Sequence, residues 1–251
     1  ILIKSPSNHY ILVDGGPNPE KTCLALGETM PFWNRNIDMV VLTHQHDDHA
    51  DGLIAVVQRY NVKQVLYPPD RLNHSEDVGY LPGSMELSNT ISKTAIECVT
   101  ASAGQMIDIG GAVIEVLNPP GEPYEGTDSD VDNNGVALRV SMGDISFLLS
   151  ADLYWDGELN LICAHPILQS TVLKVGHHGS KSSSRSYYLN AVEPLLSVIS
   201  VGTSNRFGHP SQETMERLNA FVGEDMVFTT MNRGTITFTT DGERLWLETE
   251  K

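Results

Sequence analysis

The apolar run Met39-Val40-Val41-Leu42 passes without a break into Thr43-His44-Gln45-His46-Asp47-Asp48-His49. A buried strand that ends on such a run restricts the fold to one in which strand ends open onto an edge where polar side chains can converge. His44, His46, Asp48 and His49 are potential metal ligands within six residues. Imidazole nitrogen suits zinc and other first-row metals, and carboxylate oxygen widens the choice towards manganese. Six residues cannot wrap an ion completely. They can present His44 and His46 to one metal while Asp48 and His49 turn towards a second, because the chain reverses into a helix there.

With 251 residues and ordinary apolar content the chain can bury a full core, and a single domain of sandwich or barrel type fills this length. No apolar run reaches the roughly 20 residues needed to span a bilayer, and no charged-then-apolar signal segment opens the sequence. The chain starts at Ile1-Leu2-Ile3, inside a strand pattern and without methionine, as an excised or processed piece would. A formal charge of −16 argues against a general nucleic-acid-binding surface. Cys23, Cys98 and Cys163 are too few and too scattered for a zinc cluster or a disulfide framework and read as buried free thiols.

Strands are predicted at Ile1–Ile3 and Tyr10–Val13, joined through Ser5-Pro6-Ser7-Asn8, with Asp14-Gly15-Gly16-Pro17 breaking the second. A helix over 19–29 and a strand over 38–42 follow. Asp51 is placed as the cap of a helix carrying Leu53, Ile54, Val56 and Val57, ahead of a strand over 64–67. A helix over 84–95, strands at 96–99, 106–109 and 112–117, and an acidic, turn-rich loop over 119–134 make up the middle. Strands at 136–141 and 145–149, a helix over 157–163 and a strand over 171–175 come next. Helices near 185–191 and 211–221 then alternate with strands at 195–201, 226–230, 233–239 and 243–248. Strands at both ends with helices interleaved suit two mixed sheets packed face to face with helices outside.

Two metals need more ligands than one loop holds. Asp152 follows the apolar strand Ile145-Ser146-Phe147-Leu148-Leu149 at a turn, where a carboxylate can bridge two cations; a helix N-cap is its alternative role. His177 and His178 follow Leu173-Lys174-Val175-Gly176 at another strand end. Alternation puts their side chains on different sides, so one ligates and the other contacts substrate or holds a supporting hydrogen bond. Lys174 could offer a positive charge near the pocket, but a strand lysine is more often an edge residue facing solvent; His9, His74 and His165 read as surface or packing residues.

The Asp14 turn, the loop from His44 to His49, Asp152 and the late Gly-His together resemble the metallo-β-lactamase-fold hydrolases over essentially the whole chain. That resemblance implies an α+β fold, a four-layer αββα sandwich of two mixed sheets flanked by helices, with one or two divalent ions (zinc or manganese) at the sheet edges. Leu12-Val13-Asp14-Gly15-Gly16, Asp132-Asn133-Asn134-Gly135, Leu173-Lys174-Val175-Gly176-His177-His178-Gly179-Ser180 and the segment from Ser200 to Pro210 are similar to the C-terminal hydrolase domains of ComEC competence proteins. Many superfamily members place a metal-binding histidine just before the strand leading to the Asp152 position, where this chain has Asn133 and Asn134. The first site would then hold His44, His46 and a shared Asp152, and the second Asp48, His49, Asp152 and His177, since the late ligand of the superfamily usually follows glycine directly.

On this resemblance the chain is expected to be a metal-dependent phosphodiesterase acting on DNA through a metal-activated water, in a DNA-uptake protein that carries a membrane channel and works outside the cytoplasm. Asp48 would orient the water, His178 and His209 would serve the chemistry, and Ser180, Asn134 and Asn205 would contact substrate. Asp14 is expected to fix the metal loop by accepting backbone or histidine N–H bonds. Ser180 with Ser182, Ser183 and Ser184 could donate to a phosphate or form a serine-rich helix cap. A hydrolase of small phosphate esters, phosphorylcholine esters or lactones is the alternative enzyme, and a metal-stabilised interaction domain the non-enzymatic one.

Overall fold

The computed structural model describes residues 1–69 and 82–251; His74 lies outside them. The chain divides into two compact units, one formed by Ile1–Ser102 with Ile109–Gly111 and the other by Ala103–Asp108 with Ala112–Lys251.

The first unit runs β1 (Leu2–Lys4), β2 (Tyr10–Val13), α1 (Pro19–Thr29), β3 (Asn36–Val41), α2 (Asp47–Arg59), β4 (Asn61–Tyr67), α3 (Pro82–Ile91) and β5 (Glu97–Thr100). Its sheet has the order β1-β2-β3-β4-β5, with β1 antiparallel to β2 and the remaining pairs parallel. Helical crossovers enforce that parallelism, because parallel neighbours need a long connection. One face of the sheet sets Leu12, Val40 and Val65 in register, and these pack with Leu26, Leu53, Val56, Val57 and Leu87 from the helices. Ile11, Val13, Val41 and Leu66 on the opposite face are buried too, as the continuous apolar runs of a parallel sheet require. Asn18 caps α1 by accepting the Lys21 N–H at 2.9 Å, and Pro19 fills the first helical position. Val13 pairs with Val41, so Asp14 and the histidine segment leave the sheet side by side at one edge.

The second unit carries β6 (Met106–Asp108), β7 (Val113–Asn118), α4 (Asp130–Asn133), β8 (Ala137–Met142), β9 (Ile145–Leu149), α5 (Trp155–Ala164) and β10 (Val172–Lys174). After a 3-10 turn at Gly176–Gly179 come α6 (Ser186–Val192), β11 (Leu196–Ile199), α7 (Gln212–Val222), β12 (Val227–Thr229), α8 (Thr230–Arg233), β13 (Ile236–Thr240) and β14 (Leu245–Thr249). The order is β12-β11-β10-β9-β8-β7-β6, antiparallel from β6 to β9 and parallel from β9 to β12, with β13 and β14 as a separate ribbon. Leu148, Leu173 and Ile199 of the sheet pack with Leu161, Tyr188, Leu189, Val192 and Leu218 of the helices. Leu149, Lys174 and Val198 lie in register, so Asp152, His177 and Ser200 all follow strands that end at one edge.

Several expectations are corrected. Helix α2 begins at Asp47 after His46, so Asp51 lies inside the helix rather than at its cap; Asp47 and Asp48 form the acidic first turn. A helical turn at 130–133 interrupts the predicted loop over 119–134. Cys98 and Cys163 are exposed and Cys23 half-buried, all three free. Cys98 sits on β5, the outer strand of its sheet, whose residues are mostly exposed. Lys174 lies on β10 between β9 and β11, an interior strand, and its side chain is only 11% exposed. His9 pairs with Asp38 at 3.3 Å, and a His165 ring nitrogen bonds the Leu117 carbonyl at 2.8 Å.

Candidate metal centre

In the first unit, the histidine loop is held from below by Asp14. That residue has φ 58, a left-handed conformation that a short polar side chain tolerates best among non-glycine residues. Its Oδ1 accepts the Thr43 N–H at 2.8 Å, and its Oδ2 accepts from Thr43 Oγ1 at 2.8 Å and His49 Nδ1 at 2.7 Å. Thr43 Oγ1 in turn lies 3.0 Å from His44 Nδ1. Since the threonine proton goes to Asp14, the His44 N–H is the donor in that contact. Both rings are thereby fixed as Nδ1–H tautomers with Nε2 presented as a lone pair, the usual state of a metal-ligating histidine whose other nitrogen is tied to a carboxylate or its relay. Burial alone would raise the Asp14 carboxyl, but attraction to His49 with its hydrogen bond, then the Thr43 N–H and His44, hold it below its usual value.

His44, 1% exposed, sets its Nε2 3.0 Å from His46 Nδ1, and its ring centre is 4.0 Å from that of His49. Asp48, at the start of α2, brings Oδ2 to 4.0 Å from His49 Nε2. A close crossing of backbones makes this possible. The Gly15 N–H donates to the His49 carbonyl and the Gly52 N–H to the Gly16 carbonyl, both at 2.8 Å. A Cβ on either Gly15 or Gly52 would run into the other segment's backbone. The Asp14-Gly15-Gly16 turn is thus seated directly on the first turns of α2.

In the second unit, Asp152 is 2% exposed and follows Ala151, itself at φ 48. It is not the cap of α5, whose N-cap position is Tyr154. Lys174 Nζ donates to the Ala151 carbonyl at 2.9 Å and pairs with Asp152 Oδ1 at 3.4 Å, and His178 Nε2 faces Asp152 Oδ2 at 3.3 Å. The His178 Nδ1–H donates to the Ser200 carbonyl at 2.7 Å. With Nδ1–H committed to that carbonyl, Nε2 is the His178 nitrogen that faces the carboxylate, an arrangement that a shared cation would stabilise. His177 and His178 have φ 45 and 52, so strand alternation does not govern them; the chain has left β10 at Lys174. The His177 ring stacks on Tyr154 at 4.9 Å and places Nδ1 3.1 Å from Ser182 Oγ. Burial is the main cause that lowers its pKa to about 4; Asp152 pulls the other way, and His178, His209 and Lys174 add smaller downward effects.

The residues offered to substrate are engaged within the protein. Asn134 Oδ1 accepts the Tyr124 N–H, and its Nδ2 donates to the Tyr124 and Asp130 carbonyls, each at 2.8 Å. Asn205 accepts the His209 N–H at 2.9 Å and donates to the His209 carbonyl at 2.8 Å, clamping that turn. Ser180 Oγ lies 2.9 Å from Ser182 Oγ. Asn133 Oδ1 accepts the N–H groups of Tyr154 and Gly157, both at 3.0 Å, and so caps α5 from outside the helix; a Cβ on Gly157 would come within 2.7 Å of that oxygen. The serines do not cap α6. Instead the fully buried Glu158 accepts the N–H groups of Ser184 and Arg185, while Arg217 donates to the Ser183 and Ser184 carbonyls. Burial pushes the Glu158 carboxyl up to about 8. His209, with its pKa lowered by burial and by His178, lies 5.6 Å from His177 between ring centres.

Thr43, Glu158 and the Ser200 carbonyl are participants whose roles the sequence does not disclose. Thr43 and Glu158 act through contacts between segments distant in sequence, and Ser200 through a backbone atom. Asp132 is a further buried carboxylate, accepting from Ser129 Oγ at 2.6 Å. It stands beside the two asparagines that drew attention instead.

Imidazoles with tied Nδ1 atoms beside carboxylates define an α+β protein whose histidine and aspartate groups can hold a metal ion. The chain belongs to the metallo-β-lactamase superfamily, which residues 1–202 match. It is 29% identical to ComE operon protein 3 of Bacillus subtilis over 73% of this chain and 22% of that protein. It is 31% identical to competence protein ComA of Neisseria gonorrhoeae over 88% of this chain and 28% of that one. The chain thus spans about a quarter of the length of these relatives. A solved B3 metallo-β-lactamase with an active-site glutamic acid shares the fold at a TM-score of 0.52, with 14% identity over 89% of this chain and 84% of that one. Among the described residues, no helix is long and apolar enough to cross a membrane.

Proposed function

We propose that this chain is a metal-dependent phosphodiesterase that cleaves DNA, working as a single hydrolase domain. The observation that carries the reading is the anchored histidine loop, with Asp14 and Thr43 setting the His49 and His44 tautomers, in a chain similar to competence proteins. His44, His46, Asp48 and His49 in the first unit, and Asp152 with a histidine of the 177–178 pair in the second, are the groups that would hold one or two zinc or manganese ions. His178 suits ligation better than His177, because its Nδ1–H is tied to a carbonyl and its Nε2 faces Asp152. Bound there, such ions supply positive charge for a phosphoryl oxygen and lower the pKa of water.

The protein's own groups do the rest. Asp48, at the open end of the loop, accepts a proton from water and orients it. Lys174 pairs with Asp152 and holds its carboxyl in place. His209, neutral at pH 7 because its pKa is lowered, serves as a hydrogen-bond donor to the scissile phosphate rather than as a stored acid. Asn205 fixes the turn that presents it. The formal charge of −16 favours the second reading, a hydrolase of small phosphate esters, since a long strand would meet a mostly acidic protein.

The deciding measurement is cleavage of end-labelled single-stranded DNA with manganese or zinc, against EDTA and an Asp48→Ala control. Metal-dependent fragments that vanish in the variant are expected. Intact DNA alongside turnover of a small phosphodiester would transfer the assignment to the second reading.

A further inference from the structure

A row of rings in the second unit leads from the His177–His178 turn out to solvent. Tyr154 stacks on His177 with ring centres 4.9 Å apart, and His177 meets His209 edge to face at 5.6 Å. His209 lies nearly parallel to Phe207, 19° between planes and 5.9 Å between centres. The Arg206 guanidinium then sits 5.0 Å from the centre of the Phe207 ring. Exposure rises along the row: the first three rings are half-buried, whereas Phe207 is 65% exposed.

Phe207 is not left outside by a loose loop. Asn205 grips both backbone groups of His209, and Gly208 between them has φ +70, so the turn that projects the ring is a defined one. An aromatic face flanked by an arginine is the standard means of holding an unpaired nucleobase, with the guanidinium free to move to the adjoining phosphate. Stacking also answers the charge problem, because it draws a strand to an acidic protein without a basic track.

We infer that Phe207 and Arg206 form a stacking platform for a base of single-stranded DNA, placed beside His209 to set the register of the scissile phosphate. The inference rests on the nuclease reading above. Its test compares kcat/KM with manganese for an oligothymidylate and for the same oligonucleotide carrying abasic sites, in the native protein, Phe207→Ala and Phe207→Trp, with bis(p-nitrophenyl) phosphate as a small diester. The native protein is expected to prefer the base-bearing strand by roughly 5- to 150-fold, the range that base–aromatic stacking supplies. Phe207→Ala should bring that ratio close to one, and Phe207→Trp should restore it. A native preference that survives in Phe207→Ala, or a native ratio already near one with both strands cut, overturns the platform and leaves the nuclease reading standing. Hydrolysis of the small diester with neither strand cut overturns both.

Discussion

The two histidine turns solve the same problem in opposite ways. Each follows an interior parallel strand at a sheet edge, and each must hold imidazoles in one orientation. The turn after β3 uses regular structure and charge: α2 starts inside it, and one carboxylate, Asp14, reaches His49 directly and His44 through Thr43. The turn after β10 uses irregular backbone and neutral partners. Both of its histidines are left-handed, one leaning on a carbonyl and the other on a hydroxyl, while a buried acid six residues beyond Asp152 secures the segment behind them. Either anchor fixes the direction of the ring it holds and raises its basicity, the charged one more strongly than the neutral one. The first turn is therefore built more for affinity than the second.

The largest effect that would break this contrast lies in the second turn. His178→Ala should lose one equivalent of bound metal with activity falling to the EDTA background, whereas His177→Ala should keep its metal; metal content by plasma mass spectrometry checks both. If His177→Ala is the variant that loses the ion, the two histidines exchange roles.

The acids behind the two turns should also respond to pH with opposite sign. Asp14 has a lowered pKa, so its contribution is present above its usual value of 3.8 and is lost as pH falls through the lower folded value. Glu158 has a raised pKa, so its contribution is complete below its usual 4.5 and is lost as pH rises through about 8. Between those limits Glu158 tilts stability downward by at most about 1.4 kcal/mol per pH unit. Urea unfolding at pH 5 and pH 8 should show this slope, and Glu158→Gln should flatten it.

Asp14→Ala comes next in size. Loss of the charged anchor should weaken metal binding about 10- to 100-fold, read by competition with a chelating dye. An unchanged affinity would mean that α2 alone orients the rings. The smallest effect concerns the helix after Asp152: Asn133→Ala should cost about 1 kcal/mol through the lost cap, seen as a lower urea midpoint with unaltered slope.

Much of the fold was legible because strand and helix periods are strong here. Strand β2, helix α1, strands β8 and β9 and helix α7 lie within a residue or so of their predicted bounds. Helix α2 was misjudged at its start because Asp47 and Asp48 can be read as ligands or as a favourable first turn, and residue type alone does not separate the two. Lys174 looked like an edge residue because sequence does not reveal which strands flank it. The two-residue period failed at His177 and His178 because it applies only while the chain stays extended. Candidate ligands stand out by type and spacing, whereas Thr43 beside the histidines and Glu158 in a helix are common residue types whose supporting contacts only the fold creates.

The outside cap on α5 has a consequence for position 133. Asn133 stands where many superfamily members have a metal-binding histidine, yet here its oxygen closes the helix that begins just after Asp152, and Gly157 leaves room for it. A single change to histidine would surrender the cap before any new ligand had been positioned. Position 133 is therefore held by the architecture around Asp152 as well as by the demands of chemistry, and the two pull towards different residues.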